Sequence, residues 1–453
     1  MKVRHFKKIR LGMNSRRPIP ESLTRLERRC LVLASVNYLR DDGDFNGLPL
    51  TALGNMFKLS WPALRHVLIV SIIAERGHVL WGDVVVNPHI NGTGYPSVAA
   101  QVKYLRTAKG PSAHACFYPG KDELYASIDI GDYSGRPYAL ELALGQPQLA
   151  FRVFDLQALE CYRNDPRYSY DCSDISGSIS ISTEHSGETG VRRSDQTVLK
   201  TFGFAYDEEG NRVVAVFLRY LSDLSPEHQQ LWKARELGAK YSLHPDYYRA
   251  AILGQWPEHV SLFDAFCQEL WLINQMTKAI RGEELFMRDF GEYGETRPKK
   301  FAFLLRPTVE EFNSFAHLLD KLLSDNISKK FFDGLLSLNE EIPKPDGRYE
   351  VRQKGTIRLL DEFVRQNFKT SDWTPWNECI SGLRQIRQTR QKPAHALNED
   401  RFDAKISRQQ RDLAIMGYEV ISTIRQVFER HERVKVLDLE IPDWLQNGKI
   451  WTH

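Results

Sequence analysis

Hydrophobic residues in this 453-residue chain follow two different spacings, and the spacing changes near residue 225. Before that point, from about residue 91, they alternate in Glu123–Ile130, Tyr138–Leu144, Leu149–Phe154, Gly177–Ser182 and Val198–Ala205. Such alternation is typical of half-buried β-strands. The segment 207–211 then predicts a hairpin between the last of these strands and Val213–Phe217. After residue 225 the hydrophobic residues recur at every third or fourth position almost to the end, which is typical of amphipathic helices. The pattern therefore predicts an α+β protein whose strands precede a long helical region.

Three helical patterns and one alternating pattern follow each other near the N-terminus. Leu23–Leu39 and Leu50–Phe57 have helical spacing, and a third helix is expected to begin after Ser60 and to end before Gly77. Alternating residues then flank a Gly-Asp turn within 78–86, which predicts a β-hairpin. In the order of its elements, this segment resembles a winged helix-turn-helix module.

The third helix of this module is mostly apolar. It offers a phosphate backbone only Arg65, His66 and the more distant Arg76. Because DNA affinity depends on several such cations, the composition favours a docking or dimerisation role over DNA binding.

The chain is about three times as long as the ~150 residues typical of one domain, so we predict a multidomain protein. A break between two helical regions is expected at Glu340–Tyr349, where prolines and a glycine interrupt the spacing. The predicted units are a basic arm (1–20), the winged-helix-like module (21–92), a β-rich middle domain (93–224), a helical region (225–340) and a C-terminal all-α bundle (350–440).

Composition excludes several classes of protein. The net charge of +3 rules out a histone-like or polyacidic chain. The six cysteines never reach the two-residue spacing of a zinc clip, so we expect reduced thiols and no metal site. No apolar run approaches the ~20 residues that span a bilayer, and no secretory signal is recognisable. We therefore expect a cytoplasmic protein without a membrane partner.

The segment 383–395 contains four cations and no acid. A helix is expected over Pro375–Gln391, with a buried stripe that reaches Ile386. Continuing that stripe places Arg390 where an apolar residue is expected, which is costly unless the guanidinium is paired or faces a cleft. Pro393 should end the helix near Gln391, so His395 is expected close to Arg390 in space.

The residues from Arg390 to His395 (RQKPAH) resemble the Arg-x4–6-His signature of HEPN domains. These are all-helical units that often act as metal-independent ribonucleases in toxins and phage-defence proteins. The layout is also similar, because the motif precedes a last long helix predicted at Ser407–Arg433, with Ser407 as its cap. A second match, Arg425 to His431, falls inside that helix beside glutamates and is interpreted as a solvated face.

The resemblance implies an endoribonuclease that needs no cofactor. His395 would act as the general base on the RNA 2′-hydroxyl, and Arg390 would hold the phosphate and stabilise its developing charge. Members commonly pair two motifs across a homodimer. RNA would also contact Arg384, Arg387, Gln391 and Lys392. Residues 351–435 support this with 17 basic and 11 acidic residues, a local charge of +6.

Other interpretations stay open. The chain is alternatively a non-enzymatic regulatory protein that binds DNA or a protein through the N-terminal module. Tyr162, Tyr168 and Tyr170, with neighbouring arginines, are a secondary candidate for stacking single-stranded bases. His228 and His244 lie beside acids, but their spacing favours helix-cap or surface roles over metal ligands.

Overall fold

The computed structural model describes residues 23–41, 45–82, 87–112, 114–173, 175–187, 190–238, 240–256, 258–291, 294, 296–344, 349–391, 400–437 and 439–452. It is a mixed α+β protein with several sheets and a helical C-terminal region.

The helices are, in chain order, α1 (Arg25–Arg40), α2 (Leu50–Phe57), α3 (Trp61–Ile73), α4 (Pro88–Asn91), α5 (Val98–Thr107), α6 (Lys121–Ser127), α7 (Pro137–Ala143), α8 (Glu160–Arg163), α9 (Leu218–Ser222), α10 (Pro226–Lys233), α11 (Pro245–Leu253), α12 (Leu262–Arg281), α13 (Val309–Leu322), α14 (Thr356–Asn367), α15 (Thr374–Gln391), α16 (Lys405–Glu429), α17 (Glu432–Lys435) and α18 (Asp443–Gln446).

The strands are β1 (Leu48–Pro49), β2 (Gly77–Trp81), β3 (Ala115–Pro119), β4 (Phe151–Phe154), β5 (Tyr168–Cys172), β6 (Ser176–Ile181), β7 (Val198–Tyr206), β8 (Arg212–Phe217), β9 (Ser242–Leu243), β10 (Val260–Ser261), β11 (Asn339–Pro343), β12 (Tyr349–Gln353) and β13 (Ile450–Trp451). Three sheets have the orders β1-β3-β2, β11-β12 and β10-β13. A six-stranded sheet has the order β4-β8-β7-β6-β5, with β9 beside β7.

The chain divides into two compact units. The first comprises Met1–Ala158, Ile179–Phe202 and Val213–Tyr241, and the second comprises Leu159–Ser178, Gly203–Arg212 and Ser242–His453. The domain boundaries that we derived from the sequence stay a prediction.

The N-terminal helices form where the hydrophobic spacing places them. Thr24 caps α1 in a reciprocal capping box with Glu27, and α2 has the predicted bounds. Strand β2 also forms, but it pairs antiparallel with the distant β3, whereas residues 83–86 lie outside the described residues. Helices α1, α2, α3 and α5 bury one apolar core with β2 and β3.

The middle of the chain contains more helix than its alternating pattern predicts. Two predicted strands, 123–130 and 138–144, are instead largely helical and overlap α6 and α7. Acids in the first turn of α6 and a proline at the start of α7 favour helix, and these terminal signals outweigh a short alternating run. The hairpin predicted around residues 207–211 is confirmed, since β7 and β8 are neighbours in the sheet.

The second unit has its core among long helices. Helices α12, α13, α14, α15 and α16 bury a continuous apolar cluster that includes Leu270, Leu319, Leu383 and Ile421. Strands β11 and β12, which pair antiparallel, overlap the break predicted at 340–349, and its role as a domain boundary stays a prediction. Helix α16 begins at Lys405 after Ala404, so Ser407 lies in its first turn and does not cap it. Within the described residues, no single helix is long and apolar enough to cross a membrane, although the bent pair α2–α3 passes that test when combined.

Candidate functional site

Helix α15 carries the sequence motif to its last turn. Trp376, Cys379, Ile380, Leu383 and Ile386 are buried along one face, and the helix ends at Gln391, as predicted. Lys392 and His395 lie outside the described residues. The site is therefore built from the last two turns of α15 and from what packs against them.

Arg390 is paired, which resolves the conflict between its charge and its apolar register. Its Nη1 donates to Asp320 Oδ2 at 2.7 Å and also to Asp325 Oδ2. Its side chain keeps 30% of its surface exposed. These hydrogen bonds raise the pKa of Arg390 above its usual value, so the guanidinium is charged at any working pH.

Arg387 lies one turn earlier and binds the same two acids. Its Nη2 is 2.8 Å from Asp325 Oδ1, and its Nε is 3.7 Å from Asp320 Oδ1. We call Asp320, Asp325, Arg387 and Arg390 the charge cluster. Its two cations and two anions cancel, so a phosphate gains little there until one carboxylate moves away.

The two acids differ in their freedom to move. Asp320, near the end of α13, is completely buried, and its Oδ1 has no hydrogen-bond partner among the described residues. Asp325, in the turn after α13, keeps 39% of its side chain exposed. Asp325 is therefore the acid that a ligand can reach and displace, while both guanidiniums stay paired with Asp320.

The backbone around Asp325 is held in place. The Asp325 N–H donates to Asp320 O, and Ser324 O accepts from the Thr356 hydroxyl at 2.7 Å. The side-chain amide of Asn326 donates to the backbone carbonyls of Arg288 and Leu322. Only the carboxylate of Asp325, and not the turn that carries it, is free to leave the cluster.

An imidazole lies near this cluster. His317, one turn before Asp320 on α13, is exposed to solvent. Its pKa is lowered chiefly by partial desolvation and then by the positive charges of Arg390 and Lys321, so it is neutral near pH 7. A neutral imidazole beside guanidiniums is a second candidate general base that the sequence analysis missed.

The sequence did contain a signal for Asp320. The residue lies four positions after the buried Ala316 on α13, so an acid occupies the apolar register of one helix as Arg390 does in another. An acid and a cation that both occupy apolar positions in one bundle are expected to pair, because burial of either charge alone is costly.

The other described residues that were predicted to contact RNA are on the surface. Arg384 and Gln391 are exposed on α15, and within the described chain no acid lies within ion-pair distance of Arg384. Arg384 is therefore available to an anionic polymer without any rearrangement.

Two arginine-based expectations are wrong. Arg425 does not belong to a solvated face, because it is buried and its Nε is 2.5 Å from Glu269 Oε2 on α12. Arg76 is not available to phosphate, because it is buried and its Nη2 is 2.5 Å from Glu123 Oε2. In both cases a long-range acid, which spacing cannot locate, takes the cation into the interior.

The tyrosine candidate for base stacking is also wrong. Tyr162, Tyr168 and Tyr170 are all buried, and the neighbouring Arg163 forms an ion pair with Glu311 at 2.7 Å. Buried rings have no face free for a base.

His244 is a helix cap, as its spacing indicates: its Nδ1 accepts from the Asp246 N–H at the start of α11. The expectation for His228 is wrong, because the residue is buried in the first turn of α10 and Ser225 caps that helix. Among the described positions, no three His, Cys, Asp or Glu side chains are grouped so as to hold a metal ion.

Comparison with known proteins adds no family: no family model, no curated protein and no solved structure matches this chain. The geometry of the site and the sequence motif therefore carry the functional argument alone.

Proposed function

We propose that the chain is a HEPN-type, metal-independent endoribonuclease of a toxin or phage-defence system. The observation that carries this proposal is the position of Arg390. Its guanidinium is part-exposed in the last turn of α15, within the long-helix bundle, and it directly precedes the segment that contains His395. A buried acid, Asp320, orients it.

The chemistry follows from the two motif residues. Neutral His395 takes the proton of an RNA 2′-hydroxyl, whose oxygen then attacks the adjacent phosphorus. The bond from phosphorus to the 5′-oxygen breaks, and that oxygen leaves with a proton from solvent. Arg390 stabilises the negative charge on the phosphoryl oxygens. The products are a 2′,3′-cyclic phosphate and a 5′-hydroxyl.

RNA has to compete with Asp325 for the charge cluster. The phosphate replaces the Asp325 carboxylate on Arg390 and Arg387, while Asp320 keeps both arginines oriented. Arg384, Gln391 and Lys392 provide further contacts along the strand. A homodimer places two such motifs at one RNA strand.

The test is cleavage of single-stranded RNA by purified protein, with the cyclic phosphate end detected. Arg390→Ala and His395→Ala are each expected to lower the rate about 100-fold or more. Arg408→Ala, an exposed arginine on α16, is the matched control and should cleave normally. Unchanged cleavage in both motif variants would exclude this site. Sedimentation of the intact chain tests the dimer.

We also propose a winged-helix-like docking module at the N-terminus as the basis of the alternative, a non-enzymatic regulatory protein. The order α1-β1-α2-α3-β2 and the sheet order β1-β3-β2 support it, although α4 and α5 lie between β2 and β3. Because Arg76 is buried with Glu123, the observation favours a protein partner over DNA. A salt-dependent DNA shift that is lost on deleting residues 1–92 would instead establish DNA binding.

A further inference from the structure

A cavity lies in the second unit, between the end of α14, the loop 368–373, the start of α15 and the end of α16. Its volume is about 380 Å³, within the range of roughly 300–1,000 Å³ typical of small-ligand sites. Neither Arg390 nor any other residue of the charge cluster lines it.

Aromatic side chains form much of its wall. Phe368, Trp373 and Trp376 line the cavity together with Val364 and Val427. Such walls favour a planar apolar ring, because an aromatic face gains both burial and stacking.

These walls are held in place by their own contacts. Arg365 lies over the Trp373 ring, 4.9 Å from its centroid, and the indole N–H of Trp376 donates to Asp361 at 2.9 Å. Phe368 packs edge-on against Phe428, with the ring centroids 5.7 Å apart. A wall ordered before binding costs a ligand little conformational entropy.

The cavity wall carries two cations and two acids, so a ligand's negative charge is favoured only beside the cations. Lys369 and Arg430 line it, and among the described residues no acid is within ion-pair distance of either. Of the two lining acids, Asp372 already accepts from the Thr374 N–H at 2.8 Å, and Glu432 is exposed on α17.

His431, which also lines the cavity, adds a hydrogen-bond donor. Its Nδ1 accepts from the Arg433 N–H at 3.2 Å, so in the neutral ring the proton is on Nε2. Burial lowers the pKa of His431, which keeps the ring neutral near pH 7. The cavity thus combines ring-binding walls with one donor, two cations and two acids.

We propose that this cavity binds a small molecule made of one planar aromatic ring and one anionic group. The ring lies against Trp373 and Phe368, and the anion binds Arg430. Nucleoside monophosphates and aromatic carboxylates share this chemistry. The proposal is independent of RNA cleavage.

Isothermal titration of the full chain tests it, with adenosine monophosphate, uridine monophosphate and indole-3-carboxylate as probes. At least one probe should bind one-to-one, and which probe binds identifies the source of the ligand. Arg430→Gln and Trp373→Ala should each weaken that binding about tenfold or more.

Matched variants separate this cavity from the general surface. Arg408→Gln, elsewhere on α16, and Trp256→Ala, whose side chain is 93% exposed, should bind normally. Adenosine and inorganic phosphate, which each lack half of the recognised chemistry, should bind far more weakly. Absence of binding by all three probes, binding of phosphate alone with equal affinity, or full binding by Arg430→Gln would each overturn the proposal.

Discussion

Arg390 and Arg425 both precede a histidine at the spacing of the same motif, yet their environments differ. Arg425 is buried between Glu269 on α12 and Glu429 on its own helix, α16. Arg390 instead remains 30% exposed between Asp320 and Asp325. The first cation is committed to the interior, and the second can exchange one partner for a ligand. Burial, and not spacing, therefore separates a structural arginine from a candidate functional one.

Removal of Arg425 should have the largest effect on stability. Arg425→Met leaves the fully buried Glu269 without its cation, which costs about 3–5 kcal/mol when the acid is charged. Urea unfolding at pH 8 measures this loss. The double variant Arg425→Met/Glu269→Leu removes both charges and should recover most of it. A loss below about 1 kcal/mol in the single variant would contradict the buried pair.

The pH dependence of stability should sharpen the same contrast. Burial raises the pKa of Glu269 from 4.5 to about 7 against the opposing effect of Arg425. The folded state therefore binds a proton that the unfolded state has lost between these values, so this residue's contribution to stability falls as pH rises from 4.5 to 7. Relative to Glu269→Gln, the wild type should lose on the order of 3 kcal/mol across that window. If the unfolding free energies of the two proteins change in parallel with pH, the pKa of Glu269 is not raised and the prediction is wrong.

The two aspartates of the charge cluster should respond differently to the same change. Asp320→Asn removes a buried anion from two arginines and should cost about 1–3 kcal/mol in unfolding free energy. Asp325→Asn removes an exposed partner and should cost less than about 1 kcal/mol. Because it also removes one of the two carboxylates that compete with phosphate for Arg390, it should strengthen RNA binding about two- to fivefold. Urea unfolding and filter binding measure these effects, and equal losses of stability would show that the two acids are equivalent.

Arg384 should have the smallest effect. Its side chain is exposed, so Arg384→Ala should leave stability unchanged. It should lower the slope of log affinity for single-stranded RNA against log salt by about 0.7, the value for one lost phosphate contact. The exposed Arg408→Ala serves as its control, and an identical slope in wild type and Arg384→Ala would remove this contact from the RNA path.

Local signals predicted much of the helical structure. The start and end of α15, the bounds of α2 and the buried stripe up to Ile386 follow from spacing, prolines and caps. The errors arose where two local signals disagree, as in α6, where an alternating run begins with acids that favour a helix N-terminus.

The site was less predictable than the helix that carries it. The sequence indicated that Arg390 needs a partner, but Asp320 and Asp325 are 70 and 65 residues away along the chain. The same limit hid the partners of Arg76 and Arg425, which are 47 and 156 residues away. Helical spacing places a residue on one face, and says nothing about which helix packs there.

The amino-acid sequence alone determined where α15 begins and ends, and that a cation occupies its apolar register, because both depend on neighbours within a few residues. Only the tertiary structure decided which arginine is sealed in the bundle and which stays part-exposed. That distinction depends on the burial of each charge and on acids brought from distant helices, and both arise only when the helices pack.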